Sequence, residues 1–287
     1  MTNYKIITDS GCDLPAQMLA ELGVNRIPLT VNFRGQSLED SVDTGIKEIY
    51  AGLREGENAS TSAVNPDGWS SVIEPVLQQE QDVLVLAFSS GLSTTYQSAV
   101  IAANELKEKY PQRKINVVDS LAASLGQGLL LWYMCQKQSA GMSLEELTAW
   151  TEEYKFKLAH WFTVDDLGFL KRGGRISAAT ALVGTMLQIK PVLHVDDEGH
   201  LISMSKARGR KASLDALVKK FEQTQIPGMN DTVYICHGDC LADAQYIEQQ
   251  LKEKHGVKHV FIGYTGAVIG SHSGPGTMAL FFLPDHR

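Results

Sequence analysis

In Asp82-Val-Leu-Val-Leu-Ala-Phe-Ser-Ser-Gly-Leu-Ser-Thr-Thr-Tyr96, an unbroken apolar run ends at a cluster of hydroxyl side chains around one glycine. The run over residues 83–88 is typical of a strand buried on both faces, which indicates a parallel sheet covered by helices. Ligands of such sheets bind beyond the carboxyl ends of the strands, where these hydroxyls lie. A helix predicted over residues 96–109 follows, and its amino end favours an anion. The sequence therefore predicts a ligand with a small negative head group.

Apolar runs and helical patterns alternate through the first half of the chain, which predicts an α/β fold with a mostly parallel sheet. Asp13 is expected to cap a helix that Pro15 enters in its first turn. Residues 60–66 are expected to connect two helices. The predicted strands cover residues 4–8, 27–33, 83–88 and 115–118, and the predicted helices cover residues 45–54, 67–79, 96–109 and a segment that ends near residue 137.

The pattern changes after residue 142. A turn at residues 196–199 between strands at 192–195 and 200–205 is typical of a hairpin, which introduces antiparallel pairing. We predict two domains, an N-terminal α/β domain over residues 1–142 and a C-terminal mixed α/β domain over residues 143–287. The other elements predicted here are helices at 143–157, 177–188, 211–223 and 242–255, strands at 160–164, 232–236, 260–264 and 278–283, and a loop at 171–175.

Composition and charge exclude several classes of function. The chain has 287 residues, 44% of them hydrophobic and 21% charged, which suits globular domains with substantial cores. The formal net charge of -7 argues against nucleic acid or an anionic membrane surface as the main partner. Because no apolar stretch approaches the roughly 18 residues that span a bilayer, we expect no transmembrane segment. The chain runs from Met1 straight into a strand, so we also expect no signal peptide.

The cysteines indicate the cellular location of the protein more clearly than they indicate a chemical function. Four cysteines in a chain of this length make no disulfide framework, and the cytoplasm is the simplest location. Cys236 and Cys240 offer metal-type ligands, but no second pair follows at a suitable spacing. We therefore predict no metal site.

Short motifs recur along the whole chain in an order known from one family. They are Thr8-Asp-Ser10, Thr61-Ser62, Ser89-Ser-Gly-Leu-Ser93, Asp119-Ser120, Leu170-Lys-Arg-Gly-Gly-Arg-Ile-Ser177, Lys190-Pro191 and Gly270-Ser-His-Ser-Gly-Pro-Gly276. On these motifs the chain resembles the DegV family of fatty-acid-binding proteins, which includes the FakB subunit of bacterial fatty acid kinase. The resemblance implies a two-domain DegV-like fold with the ligand between the domains.

The resemblance also implies roles for particular residues. Thr61, Ser93 and His272 would bind the carboxylate of the fatty acid, and the C-terminal domain would hold the acyl tail. The supporting positions would be Ser62, Thr94, Arg175, Thr8, Asp9 and Ser10. Two departures from the family pattern bear on head-group geometry, since residues 61–66 replace the usual Thr-Ser-Gln-Pro and Thr94 stands where a glycine is common.

By the same resemblance, the ligand is a long-chain fatty acid and no cofactor is needed. The partner would be a separate ATP-dependent fatty acid kinase subunit that phosphorylates the bound carboxylate. An acyl-phosphate-using acyltransferase would then take the product into phospholipid synthesis. The chain would present a substrate and would not be an enzyme by itself. Arg208 and Arg210 are candidates for the kinase interface, because basic groups suit an acidic partner or phosphates.

Other interpretations of the same residues stay open. Serines after a strand often only cap the next helix. Arg175 follows two glycines, which is typical of a tight turn that ends in a solvated charge. A different class of function is a lipid ester hydrolase or acyltransferase that uses Ser93 and His272. This activity requires the hydroxyl to lie within hydrogen-bond reach of an imidazole that a third group orients.

Overall fold

Strands and helices alternate along most of the chain in the computed structural model, which describes residues 3–43, 45–176 and 188–285. The strands are β1 (Tyr4–Asp9), β2 (Asn25–Ile27), β3 (Thr30–Phe33), β4 (Gln36–Glu39), β5 (Ala59–Ser62), β6 (Asp82–Ala87), β7 (Ile115–Asp119), β8 (Ala159–Thr163), β9 (Ile189–Val195), β10 (Leu201–Arg208), β11 (Thr232–His237), β12 (His259–Tyr264) and β13 (Met278–Phe282). The helices are α1 (Ala16–Glu21), α2 (Ile46–Arg54), α3 (Pro66–Gln78), α4 (Thr95–Lys109), α5 (Leu125–Ser139), α6 (Leu144–Tyr154), α7 (Leu167–Arg172), α8 (Arg210–Thr224), α9 (Leu241–His255) and α10 (Ala267–Ser273). Short 3-10 turns cover Ser10–Cys12 and Lys155–Lys157.

The first sheet has four parallel strands in the order β2-β1-β6-β7. Val83 and Val85 of β6 pack into one apolar cluster, together with side chains of α3 and α4. Leu84 and Leu86 point to the opposite face and pack with side chains of α5 and α6. Because helices cover both faces, an unbroken apolar run is what this strand requires. The predicted parallel sheet is confirmed.

A small antiparallel sheet has the order β4-β3-β5. Its hairpin turns at Arg34 and Gly35, whose φ angles of 50° and 75° match the twist of the flanking strands. The prediction of one strand over residues 27–33 was wrong, because β2 ends at Ile27 in the first sheet and β3 starts at Thr30 in the small sheet. Pro28, which has no backbone N–H to donate, lies at the break.

Strand β5 lies within the segment that was expected only to connect two helices. Its sequence, Ala59-Ser-Thr-Ser62, shows no alternation of apolar and polar residues. Pairing with β3 sets Thr61 opposite Val31. The strand therefore forms because a partner is available to it, since its own composition gives little preference for this conformation.

The second large sheet has six strands in the order β10-β9-β8-β13-β11-β12. Strands β11 and β12 pair in parallel, and the other neighbours pair antiparallel. Strands β9 and β10 form the hairpin that the sequence predicted. The predicted fold class, α/β with a mostly parallel first sheet and a mixed second sheet, is confirmed.

Helix α5 joins the two large sheets through one core. Its buried residues Leu129 and Leu130 belong to a cluster that also contains Leu84 of the first sheet and Tyr234 and Phe281 of the second. Helix α6, which follows residue 142, packs against β6 and β7 of the first sheet. The domain limits 1–142 and 143–287 stay a prediction.

Three local predictions differ from the structure or fall outside it. Asp13 does not cap α1, because it is buried in a left-handed conformation (φ 53°) at the end of a 3-10 turn and Pro15 takes the N-cap position. The predicted loop at 171–175 begins inside α7, which Asp166 caps by accepting from Gly168 N. The helix predicted over 177–188 lies outside the described residues except for Gln188.

Gly126→Ala tests the contact between α5 and the second sheet. A Cβ at this position would lie 2.3 Å from His160 Nε2 and 2.9 Å from Phe281 Cδ1, so buried rings would have to move. We expect the free energy of unfolding to fall by about 1–3 kcal/mol, although alanine is intrinsically the better helix former by ~1 kcal/mol.

Chemical denaturation measures this change. Gln136→Ala, at an exposed position of the same helix, is the matched control and should alter the free energy of unfolding by no more than ~0.5 kcal/mol. A Gly126→Ala protein as stable as the wild type would show that α5 does not need this close approach.

Candidate ligand-binding site

A cavity of about 430 Å³ lies where loops of the N-terminal half meet the inner face of the second large sheet. Its volume falls in the range of small-molecule sites, ~300–1,000 Å³. Most of its lining is apolar. The apolar residues include Leu29, Phe88, Leu92, Phe162, Leu170, Val195, Leu201, Val268 and Phe281.

Alternate side chains of strand β13 line this cavity. Ala279 and Phe281 line the cavity and belong to the core that α5 shares. Met278, Leu280 and Phe282 belong to a separate core cluster. Since successive side chains of a strand point to opposite faces, β13 separates an open space from a packed one.

Polar side chains line the same cavity and form what we call the polar cluster, namely Thr61, Ser93, Thr94, Arg175 and His272. Thr61 Oγ1 on β5 lies 2.7 Å from His272 Nε2 on α10, although the two residues are 211 positions apart. The structure thus brings together the residues that the sequence motifs singled out as head-group ligands. Their role in binding a carboxylate stays a prediction.

Ser93 has two functions in the structure. Ser93 lines the cavity, and its Oγ accepts from Thr95 N at 3.2 Å and lies 2.8 Å from Thr95 Oγ1. Ser93 therefore holds the start of α4 in place, although the N-cap residue, Thr94, makes no side-chain cap hydrogen bond. Thr94 lies beside it on the cavity wall.

His272 is half-buried next to a positive charge, and both features favour its neutral form. Burial, with the nearby Arg175 guanidinium as the second cause, lowers the pKa of His272 to about 4. The imidazole is therefore uncharged at neutral pH. A neutral imidazole offers one N–H donor and one acceptor nitrogen.

Arg175 is the cation of the polar cluster. Its Nε donates to Leu92 O at 3.0 Å, and another guanidinium nitrogen donates to Gly173 O. Burial lowers its pKa, but a guanidinium stays protonated in proteins. No acidic side chain in the described ranges forms an ion pair with it. Because Arg175 is partly buried and donates to two backbone carbonyls, it differs from the solvated turn residue that the alternative interpretation expected.

Glycine is needed at each of the two positions before Arg175, for a different structural reason at each. A Cβ on Gly173 would lie 2.2 Å from His272 Nδ1, so the imidazole needs a glycine there to reach its position. Gly174 has φ 71°, a left-handed conformation that suits the chain as it leaves α7. The Gly-Gly pair therefore positions the imidazole and the guanidinium together.

Thr8, Asp9 and Ser10 are buried and do not line the cavity. Asp9 accepts from Phe88 N at 2.7 Å, and Ser10 Oγ accepts from Leu29 N at 2.9 Å. Both amides belong to residues on the cavity wall. Asp9 and Ser10 therefore fix the backbone of two lining segments, while Thr8 donates to Leu86 O inside the first sheet.

Ser62, Arg208 and Arg210 do not line the cavity. Ser62 follows Thr61 on β5, is exposed and does not line the cavity, because neighbouring residues of a strand face opposite sides. Arg208 is exposed. Arg210 forms an ion pair with Asp243 at 2.9 Å within the chain, so it is not a free surface charge. The role of Arg208 and Arg210 at a kinase interface stays a prediction.

Sequence reasoning missed Asp40, a buried residue that holds α10 in place. Asp40 accepts from Ser10 Oγ at 2.7 Å and from Val268 N at 3.0 Å. Burial raises its pKa and also raises that of neighbouring Asp13, which accepts from Ser124 Oγ. Burial likewise raises the pKa of Asp9 to about 7. Asp40 stands among polar residues typical of a surface loop, so no signal in the sequence identified it.

The pair required for ester hydrolysis is not assembled. Ser93 bonds to Thr95, His272 Nε2 pairs with Thr61, and His272 Nδ1 packs against Gly173. Across the described residues, no carboxylate hydrogen-bonds to the imidazole to orient it. The arrangement therefore lacks the nucleophile–base contact on which that mechanism depends.

Two further features bear on function in the described ranges of the chain. These ranges contain no group of three or more His, Cys, Asp or Glu side chains placed to hold a metal ion. None of their helices has both the length and the apolar character needed to cross a membrane.

The fold and the site define an α/β protein of two large sheets with a mainly apolar cavity between them. The chain belongs to the DegV family, whose model it matches over residues 3–285. A DegV domain-containing protein of Clostridium perfringens is 45% identical over 100% of this chain and 99% of its own length.

Two solved structures extend this similarity to the fold. One, described for the fatty acid binding of a DegV-family protein from Thermus thermophilus, is 34% identical, covers 98% of this chain and 99% of its own, and has a TM-score of 0.87. Another, a DegV-family protein from Ruminococcus gnavus refined with vaccenic acid, is 26% identical, covers 98% of this chain and 100% of its own, and has a TM-score of 0.86.

The His272 imidazole should titrate near pH 4. Because its folded pKa lies below the unfolded value of about 6.5, the unfolded chain gains a proton first, and stability contributed by this group falls as pH drops from about 6.5 towards 4. Arg175→Gln should raise the pKa, since it removes the nearby positive charge but not the burial. Nitrogen-15 NMR of the imidazole measures both values, and a wild-type pKa of 6 or higher would refute the assignment.

Proposed function

We propose that this protein binds a long-chain fatty acid, with the carboxylate at the polar cluster and the acyl tail in the apolar cavity. The observation that carries the proposal is the position of Thr61, His272 and Arg175 on the wall of a cavity lined mainly by apolar side chains. The fatty acid binding described for the Thermus thermophilus protein supports it.

The tail supplies most of the affinity. Burying about fifteen methylenes is worth on the order of 12 kcal/mol gross at ~0.8 kcal/mol each, before the costs of association and ordering. Two further hydroxyls of the cavity are already engaged, because Thr277 Oγ1 donates to Gly274 O and Ser124 Oγ donates to Asp13. These two side chains therefore do not compete with the polar cluster for the carboxylate.

The head group fixes orientation. With its proton on Nε2, the neutral imidazole of His272 donates to Thr61 Oγ1, which frees the Thr61 hydroxyl proton for the carboxylate. Arg175 supplies the opposite charge. Hydrogen bonds to a charged group contribute ~1.5–3 kcal/mol each, and desolvation of the carboxylate costs several kcal/mol. The net gain from the head is small, so its main effect is geometric.

We also propose that the bound carboxylate is presented to a separate ATP-dependent fatty acid kinase in the cytoplasm, and that an acyltransferase uses the acyl-phosphate. The chain then performs no turnover alone. Two observations support the proposal that the chain performs no turnover alone. The sequence has no glycine-rich phosphate-binding motif after any strand, and the Ser93–His272 contact that ester hydrolysis requires is not formed.

Native mass spectrometry of protein purified from cells tests the ligand directly. The expected adduct has the mass of one long-chain fatty acid. Ala279→Leu, which adds three carbons at the cavity wall, should lower occupancy about tenfold because the tail loses space. Leu280→Met, on the other face of β13, is the control and should keep the wild-type occupancy. A wild-type protein that takes up no fatty acid, even when incubated with it, would refute the proposal.

Thr61→Ala combined with Ser93→Ala tests the separation of affinity from orientation. We expect fatty-acid affinity to fall about tenfold or less, since the tail is unchanged, and kcat/KM for phosphoryl transfer by the kinase to fall about a hundredfold, since the carboxylate is misplaced. Ser62→Ala, on the exposed side of β5, should change neither quantity. Equal losses of affinity and of phosphoryl transfer would argue against a role in orientation.

A further inference from the structure

Strand β12 lies at the edge of the second large sheet, where its neighbour is β11. His259 N donates to Asp231 O at 2.8 Å, and Thr265 N, just beyond the strand, donates to His237 O at 2.9 Å. Because alternate residues of a strand face its neighbour, the residues between these point their N–H and C=O groups away from β11. The outward-pointing residues are Val260, Ile262 and Tyr264. Among the strands that the structure describes, none pairs with this outer edge.

The two edges of this sheet differ in composition. Strand β10, at the other edge, is mostly exposed, carries Lys206 and Arg208, and has a register shift between Ser203 and Ser205. Lysines and bulges keep the edge strands of natural proteins from pairing with other chains. Strand β12 has the sequence His-Val-Phe-Ile-Gly-Tyr, with no lysine, arginine, carboxylate or proline, and its register with β11 is uninterrupted. It therefore lacks the features that prevent pairing.

Apolar side chains of β12 are only half-buried on both faces of the sheet. Val260 and Ile262 pack with side chains of α9 in one core cluster. Phe261 packs on the opposite face, where its ring centre lies 5.0 Å from that of the buried Tyr234. Gly263 follows on the same face as Phe261. A strand placed beside β12 would bury the apolar surface that these side chains leave in water.

We propose that the outer edge of β12 pairs with the same edge of a second copy of this chain. Two antiparallel copies related by a two-fold axis at Ile262 place Ile262 opposite its own copy, and Val260 opposite Tyr264 of the other copy. The residues whose N–H and C=O groups point outward then bond to one another. This register gives about six backbone hydrogen bonds across the axis and joins the two sheets into one.

The side chains of this edge are complementary to themselves in that register. Phe261 lies opposite Gly263 of the other copy, which leaves room for the two Phe261 rings to pack as diagonal neighbours across the axis. Val260 opposite Tyr264 is a pair of a β-branched and an aromatic side chain, a kind that stabilises adjacent strands. The same short segment therefore supplies both halves of the contact, as a two-fold interface requires.

Charge also favours a second copy. The chain has a net charge of -7, so two copies can meet closely only where the contact surface is free of that charge, as β12 is. Lys258, just before the strand, would lie near the end of the other copy's β12. Asp239 lies at that end, where it accepts from the Tyr264 hydroxyl at 3.2 Å. The two ends of the edge thus carry opposite charges, although Asp231 and Arg54 already pair with them within the chain.

Sedimentation velocity of two opposite variants tests the register. The wild type should dimerise at about 100 μM or below. Ile262→Lys and Ile262→Glu should each raise the Kd of the dimer about a hundredfold, because the axis brings two like charges together. An equimolar mixture of the two variants should recover at least tenfold of that loss, since Lys then lies opposite Glu. A mixture that associates no better than either variant alone would overturn the proposed register.

Met204→Lys is the matched control, because Met204 is 50% exposed on β10 at the other edge of the same sheet. It should leave the Kd of the dimer unchanged. Far-UV circular dichroism and fatty-acid occupancy should match the wild type in every variant, since the edge lies outside the cavity wall. Equal effects of Ile262→Lys and Met204→Lys, or a wild type that stays monomeric at about 100 μM, would overturn the inference.

Ile262→Cys tests the contact without adding a charge. Residues directly opposite in a hydrogen-bonded antiparallel pair have Cα atoms about 5.5 Å apart, a separation that a disulfide spans. Mild oxidation should convert most of this variant to a covalent dimer on a non-reducing gel. Met204→Cys should form no more than the wild type, whose cysteines are mostly buried. An Ile262→Cys protein that does not cross-link to itself would rule out a second copy and leave the edge to a different chain.

Discussion

The hydrogen bond between Thr61 Oγ1 and His272 Nε2 connects the two halves of the chain at the point where the cavity becomes polar. The imidazole that makes it is neutral, because both burial and the charge of Arg175 disfavour protonation of His272. The hydrogen bond requires β5 to pair with β3 and α10 to keep its position. The chemistry proposed for the head group therefore depends on a contact that neither half of the chain makes alone.

Buried carboxyl groups hold the segments that carry this contact in place. Asp40 accepts from the first turn of α10 and from Ser10, while Asp9 accepts from the amide of Phe88. Burial raises the pKa values of Asp9, Asp13 and Asp40, because few charged partners compensate them. Burial of such groups costs free energy. In this protein they fix the backbone segments that carry the cavity wall and the imidazole. The Thr8-Asp-Ser10 motif is thus a support for the site.

The elements that could be predicted from the sequence are those whose composition reflects their own burial. Strand β6 is apolar throughout because helices cover both of its faces, and the hydroxyls at its end mark the cavity wall. Strand β5 and helix α10 escaped prediction for the opposite reason. One is a run of small polar residues that needs β3 as its partner, and the other is a short helix in a glycine-rich segment.

The sequence by itself determined the α/β class and the two kinds of sheet, because periodicity and local composition follow from burial, and its resemblance to the family singled out the motifs that contain Thr61, Ser93 and His272. Only the tertiary structure decided which of those residues meet, that Ser62 faces away, that Arg210 is paired with Asp243, and that Asp40 is buried beneath α10. Distances between side chains far apart in the chain depend on how the sheets pack, and the order of residues does not encode them locally.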